Sequence, residues 1–204
     1  MSFMRRRWHA FAVKPKRRRM ELSTARLRLT ALRETDADAL FGYRSDPAVA
    51  RYQSWCPSAR TDALAFIRAQ QERPDDPRGR WMQRAIRLSD SDGLIGDLGV
   101  HIPTDPDGSY EVGISIAPAH QGLGYARESL EAVFEHVFLT WRARRIHASI
   151  DPRNLASAAL LRSLGMRQEA HFLETFKHRG EWVDDAIYAL LAREWLSARS
   201  DRSS

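Results

Sequence analysis

Ile114-Ser115-Ile116-Ala117-Pro118-Ala119-His120-Gln121-Gly122-Leu123-Gly124-Tyr125-Ala126 decides how this chain of 204 residues folds. Into it run Tyr110, Val112, Ile114 and Ile116, alternating with Glu111, Gly113 and Ser115 at the period of a strand with one buried face, and Pro118 closes the pattern. Out of it run Ala126, Leu130, Val133, Phe134 and Val137, spaced as one stripe along a helix. Between strand and helix, small residues leave the first N–H groups of the helix uncovered, so a ligand can come close to the backbone. A helix start of this kind attracts anions, and two linked phosphates are its natural guest.

Glycine-rich turns also serve as plain connections, so spacing has to discriminate. The dinucleotide fingerprint G-x-G-x-x-G fails for want of a third glycine, and G-x-x-x-x-G-K-[ST] does not occur. Seven scattered histidines and a single cysteine, Cys56, offer no metal-ligand spacing, so no metal is expected. No Ser-His-Asp order stands out in a nucleophile-elbow setting.

What the turn does carry is Gln-x-x-Gly-x-Ala, at Gln121, Gly124 and Ala126. In this the chain resembles the GNAT superfamily of N-acetyltransferases, whose acyl-CoA pyrophosphate signature has that form. The resemblance continues upstream, where residues 110–114 are similar to that superfamily's fourth strand. Downstream, Asp151-Pro152-Arg153-Asn154-Leu155-Ala156-Ser157 and then residues 161–166 are similar to its second CoA motif. It covers roughly residues 22–193 and looks most like the RimJ/RimL-like branch, which includes the ribosomal-protein N-terminal alanine acetyltransferases.

The remaining elements suit that layout. Leu27, Leu29 and Ala31 alternate with Arg26, Arg28 and Thr30 as a first strand. Thr35 starts a helix through Ala39, Leu40 and Tyr43 that stops near Asp46-Pro47, and a second helix begins by Thr61 and runs to about Glu72. Residues 74–79 are a loop by composition, 81–88 and 94–100 form an antiparallel hairpin, and 104–108 turn into the organising strand. Ile146, Ala148 and Ile150 make a fifth strand, and Asn154 caps a helix that closes at Gly165. Two long strands, about 167–177 and 182–191, meet at His178-Arg179-Gly180-Glu181. The expected fold is α/β of the GNAT kind: a single mixed, mostly antiparallel sheet of about seven strands, splayed in the middle and flanked by about four helices.

Acetyl transfer from acetyl-CoA to a primary amine, by direct attack in a ternary complex, is the reaction the resemblance implies. The acceptor is then a protein N-terminus or a small-molecule amine. Helix-start N–H groups at Gly122, Gly124, Tyr125 and Ala126 would anchor the diphosphate, with Gln121 shaping the turn. Backbone N–H groups near Ile114 and Ile116 would hold the pantetheine arm and polarise the thioester carbonyl. Many members carry a tyrosine seven residues after the asparagine, where this chain has Leu161. Ser157, one helical turn after Asn154, is the side chain left to reach the sulfur, and serine is usual there in the resembled branch. Asn154 serves as helix cap, pantetheine contact or both. Glu111, beside Gly113, is the first candidate for the base, provided no bulge intervenes, with Asp97 and His171 behind it. Tyr52 and Trp55 in the irregular segment 51–57 either wall the substrate pocket or pack the two helices onto the sheet.

Charge is unevenly divided. Of 32 Lys and Arg, eight lie within residues 1–20 with no acid among them, leaving 24 against 26 acidic residues. The expected organisation is therefore a basic, disordered leader over 1–20, one domain over 21–196 and a polar tail over 197–204. The leader lacks an apolar h-region and no run of about 18 apolar residues exists, so neither a secretory signal nor a membrane span is expected, and the single cysteine suits a reducing cytoplasm. Such an arm could make weak contact with nucleic acid or a ribosome, and the final hairpin could form a homodimer. The competing expectation is a non-catalytic acyl-CoA-binding or ribosome/RNA-associated protein that keeps the fold.

Overall fold

The computed structural model describes residues 20–72, 78–105 and 108–202. The leader over 1–19 and most of the loop over 74–79 lie outside the described residues, as do 106 and 107 of the following turn. In chain order the elements are β1 (Leu22–Ser23), β2 (Leu27–Thr30), α1 (Ala37–Arg44), α2 (Pro47–Ala50), α3 (Arg60–Gln71), β3 (Arg80–Leu88), β4 (Leu94–Ile102) and β5 (Ser109–Ile116). They continue with α4 (Tyr125–Glu135), β6 (Arg145–Ile150), α5 (Leu155–Ser163), β7 (Arg167–His178), β8 (Glu181–Leu191) and α6 (Ala192–Arg202).

One sheet of eight strands runs in the order β1-β2-β3-β4-β5-β6-β8-β7. Its single parallel pair among the described residues is β5 with β6, joined by the crossover that contains α4. The larger core lies on the face where Leu98, Val100, Val112 and Ile116 meet Leu130, Val133, Phe134 and Val137 of α4. Ala158 and Leu161 of α5 and Trp195 of α6 join the same cluster. On the opposite face, Leu40 of α1 and Ala63 and Ile67 of α3 pack over Ala85 of β3. Burying apolar surface on both faces of one sheet gives the three layers of an α/β domain.

Three elements exceed the count suggested by pattern. β1 has two residues and α2 four, too short for any period to show. α2 follows from local chemistry: Pro47 opens it, and Asp46 Oδ1 accepts from the Ala48 N–H at 2.8 Å. α6 runs from Ala192 to Arg202, so residues of the polar stretch after 196 continue a helix. Two boundaries also differ. Thr35 does not cap α1; Glu34–Asp36 form a 3₁₀ turn in which Asp36 Oδ2 accepts from the Arg33 N–H at 2.6 Å. Met20, at the end of the expected leader, is fully buried in the larger core. No helix among the described residues is long and apolar enough to cross a membrane.

Candidate active site

β5 and β6 pair at only three positions, Ser109 with Arg145, Tyr110 with Ile146 and Glu111 with His147. Beyond Glu111, β5 stays bonded to β4 as far as Ile116, while β6 stays bonded to β8 as far as Ile150. The two strands therefore part after Glu111, and the backbone of residues 112–116 has no strand partner on its β6 side. A cavity of about 380 Å³ opens in the gap. Glu111 and Gly113 line it from one face of β5, Val112 and Ile114 from the other, so it passes through the sheet.

No bulge interrupts the β4–β5 register, which puts Glu111 on the face opposite Val112 and Ile114. On that same face, Gly99 and Gly113 are cross-strand partners. A Cβ at Gly113 would meet nothing within 4 Å, so the floor is open there beside the Glu111 carboxylate, whereas the space over Gly99 is filled by Trp81 and Gln83. Tyr52, Gln53, Ser54, Trp81, Phe176 and His178 stand around it. The roof is tied across the opening: Arg179 Nη2 donates to the Ala50 carbonyl at 3.0 Å, and the Tyr52 hydroxyl donates to the Arg153 carbonyl at 3.3 Å.

From the other side α5 brings in Asn154, Ser157 and Leu161. Asn154 caps the helix, its Oδ1 accepting from the Ser157 N–H at 3.1 Å. The far end closes on Gly165 at φ +84°, with Gly165 N–H donating to the Arg162 carbonyl and Met166 N–H to that of Leu161. Leu161 is 4 % exposed, so its side chain is both wall and core.

The glycine turn lies outside the cavity lining, on the exposed surface at the end of β5. Gln121 shapes it by donating from Nε2 to the Ile116 carbonyl at 2.8 Å. Gly122 and Gly124 take φ of +74° and +81°, the left-handed region that only glycine enters without strain. Gly124 is the N-cap of α4, and no side chain caps its first N–H groups. At Gly122 an added Cβ would meet nothing within 4 Å, so the approach to the backbone is open. An anionic diphosphate fits this open, uncapped helix start.

Sequence reasoning missed the group that holds the turn. Arg26, just before β2, donates from Nη1 to the Leu123 carbonyl at 3.1 Å and from Nε to Glu128 Oε2 at 2.7 Å. Its guanidinium stands 4.5 Å from the centre of the Tyr125 ring. The only advance sign was an acid in the first turn of the helix, Glu128.

Other candidates are drawn elsewhere. Trp55 does not line the cavity; it stacks on Phe66 at 4.5 Å and packs with the α1 and α3 layer. Asp97 is fully buried and engaged by the Arg44 guanidinium at 2.5 and 2.9 Å and by the Tyr43 hydroxyl at 2.5 Å, with Gln83 Nε2 as a further donor. It is a structural anion with no approach for an amine. His171 pairs on the surface with Asp184 at 2.8 Å and lies outside the cavity. The Ile116 side chain is in the core, and only its backbone faces the gap. Among the described residues no group of His, Cys, Asp or Glu is placed to hold a metal ion.

Glu111 differs from these in its electrostatics. Its side chain is 29 % exposed, and burial holds its pKa above the ordinary glutamate value; a charge on His101 opposes this, and Asp185 reinforces it. Among the described residues the cavity wall holds no Arg or Lys, while Glu111, Asp151 and Asp185 belong to it. Asp151 is neutralised by Arg153 at 2.5 Å; Asp185 accepts from the Ser149 hydroxyl at 2.6 Å. The cavity thus favours a positively charged guest next to a carboxylate that readily holds a proton.

Residues 26–167 match the family model described as an acetyltransferase (GNAT) domain. Over 176 residues the chain is 31 % identical to an uncharacterized N-acetyltransferase of Bacillus subtilis, YnaD, covering 86 % of this chain and 99 % of that one. It is 32 % identical over 88 residues to the ribosomal protein uS5-alanine N-acetyltransferase of Escherichia coli, 43 % of this chain and 45 % of the relative. A solved GNAT-family acetyltransferase from Bacillus anthracis has the same fold, with a TM-score of 0.76 and 26 % identity over 86 % of this chain and 100 % of the other.

Proposed function

The chain belongs to the GNAT acetyltransferase family, and from that membership we propose that it carries acetyl from acetyl-CoA to a primary amine that enters the cavity beside Glu111. Acetyl-CoA supplies the activated acyl group. The uncapped N–H groups at the start of α4, with Gly122 and Gly124, hold its diphosphate. The unpaired backbone between Gly113 and Ile116 receives the pantetheine arm and donates to the thioester oxygen, as Asn154 and Ser157 close on the arm from α5.

Glu111 takes the proton of the incoming ammonium, which frees the nitrogen lone pair for attack on the thioester carbon. The carbon–nitrogen bond forms, the carbon–sulfur bond breaks, and sulfur leaves as thiolate. With Leu161 where a phenol would serve as acid, the Ser157 hydroxyl orients the water that protonates the sulfur. The acceptor is an amine that is cationic in solution, a protein N-terminus or a small molecule, drawn in by Glu111 and Asp185. Exposed Phe172, Leu173 and Trp182 on the β7–β8 hairpin support a homodimer contact there.

One observation carries this reading: the Glu111 carboxylate lies where β5 and β6 part, in one cavity with Asn154 and Ser157. The test is calorimetric titration with acetyl-CoA and CoA, then free-thiol release over peptides, polyamines, amino acids and aminoglycosides. Binding with release for one acceptor class supports the reading and names the class. Binding without release against any amine overturns the assignment of the cavity to an acceptor, and absence of binding overturns that of the turn.

A further inference from the structure

With acetyl-CoA and an amine in the cavity, Glu111 loses its path to solvent on that side, so the proton it has taken needs another exit. His147 is the cross-strand partner of Glu111 at the last paired position of β5 and β6, which sets both side chains on the same face. Its Nε2 lies 3.8 Å from Glu111 Oε2, within reach of one bridging water or a small side-chain rotation. Its Nδ1 lies 2.8 Å from Ser109 Oγ. Neither His147 nor Ser109 lines the cavity, and both are partly exposed at the paired end of the two strands. From Glu111 to His147 to Ser109 the groups lead outward without crossing either substrate.

We propose that His147, oriented by Ser109, is the outlet through which Glu111 passes the acceptor's proton to solvent; this rests on the reading of Glu111 as the base. In the resting tautomer Nδ1–H donates to Ser109 Oγ, and Nε2 carries the lone pair. The protonated carboxyl of Glu111 gives its proton to Nε2, Nδ1 releases its own to Ser109 Oγ, and the Ser109 hydroxyl releases one to water. Exchange with water then restores the tautomer. One proton has moved from ammonium to solvent, and no electrons have been exchanged.

The surroundings suit a relay. Burial holds the His147 imidazole below its usual pKa, and Arg145 beside it on β6 and His101 on β4 act the same way. Glu169 of β7, paired with Arg145 at 2.7 Å, and a hydrogen bond with the Tyr110 backbone oppose them. The balance favours the neutral imidazole, the form that can accept a proton. Glu111, with His101 and Asp185 as its other charged neighbours, moves upward. The proton affinities of donor and acceptor approach each other, the condition under which a proton passes with little loss.

The experiment compares thiol-release kinetics of the wild type, Glu111→Gln, His147→Gln and Ser109→Ala from about pH 6 to about pH 9, with CoA calorimetry on each variant. His147→Gln is expected to lower kcat at least about tenfold, to move the acid limb of the profile, and to regain turnover with added imidazole. CoA affinity and the KM for acetyl-CoA stay at wild-type values. Ser109→Ala gives a smaller loss with the same signature, and it decides the matter if His147→Gln does not fold. Wild-type kcat and pH profile in the His147 variant, with Glu111→Gln impaired, overturn the outlet and leave the base in place. Wild-type turnover in Glu111→Gln overturns both.

Discussion

Two guanidinium nitrogens of Arg26 converge on one oxygen of Glu128, Nε to Oε2 at 2.7 Å and Nη2 to Oε2 at 2.6 Å, which bolts the start of β2 to the first turn of α4. Thr24 adds a hydroxyl donor to the same carboxylate at 2.5 Å, the Arg26 backbone N–H donates to its Oε1 at 3.0 Å, and Arg26 Nη1 reaches the Leu123 carbonyl within the turn itself. Arg26 is 48 % exposed, so the charge pair alone adds little to stability. Its effect is on the shape of the anion site. Arg26→Ala should weaken CoA binding by roughly threefold to tenfold, about 1 kcal/mol, with a melting temperature close to wild type. Arg26→Lys should not restore it, because an ammonium cannot span Leu123 and Glu128 together. Unchanged calorimetric affinity in Arg26→Ala would remove the clamp from the site.

Gly124 tests the same site from within. At φ +81° a side chain is strained by about 1–2 kcal/mol, and an added Cβ would stand 3.4 Å from Arg26 Nη2. Gly124→Asp also sets a negative charge at the uncapped helix start, where the diphosphate is expected. CoA binding should fall below detection in calorimetry while circular dichroism shows a folded protein. Retained binding would place the diphosphate elsewhere.

These two residues show how legibility divided. Gly124 could be read because a turn between a period-two strand and a 3.6-period helix is a local pattern, and β5 and α4 each carry their large apolar residues on one face. The same alternation placed Glu111 opposite Val112 and Ile114, and it held because β4 and β5 pair without a bulge. Arg26 and Glu128 are 102 positions apart, and no periodicity links them. Residue type alone leaves Trp55 between pocket wall and helix packing, and its stack on Phe66 in α3 selects packing. α6 gave no stripe, since its two large apolar residues, Trp195 and Leu196, are adjacent; Trp195 packs edge-on and tilted against Phe134 and Phe138 from the region of α4.

Asp97 is the clearest case of a residue whose role is set at a distance, by an arginine 53 positions earlier. Arg44 and Asp97 are both buried, and burial together with the Asp97 charge drives the Tyr43 phenol well above its usual pKa. Removing the carboxylate leaves a guanidinium in the core without a partner. Asp97→Ala should therefore cost about 3–5 kcal/mol in chemical denaturation, far more than loss of a surface ion pair. A loss below about 1 kcal/mol would show that the network is not structural.

Glu111 carries the pH dependence. A base acts only when deprotonated, and burial followed by the Asp185 charge raises the Glu111 pKa, so kcat/KM should climb with pH along a limb above the ordinary glutamate range. Asp185→Asn removes a like charge, which lowers the Glu111 pKa and moves that limb toward acid. For stability the sign is reversed from that of a salt-bridged carboxylate. The folded state holds the Glu111 proton more tightly than the unfolded one, so the stability present below the unfolded-state pKa is lost progressively as pH rises, and the loss is complete above the folded-state pKa. Glu111→Gln should thus melt at or above the wild-type temperature at neutral pH, a difference that vanishes as pH falls through the unfolded glutamate value. Its turnover should fall at least about a hundredfold with CoA affinity unchanged. Wild-type turnover in Glu111→Gln, or an acid limb unmoved by Asp185→Asn, would contradict the assignment.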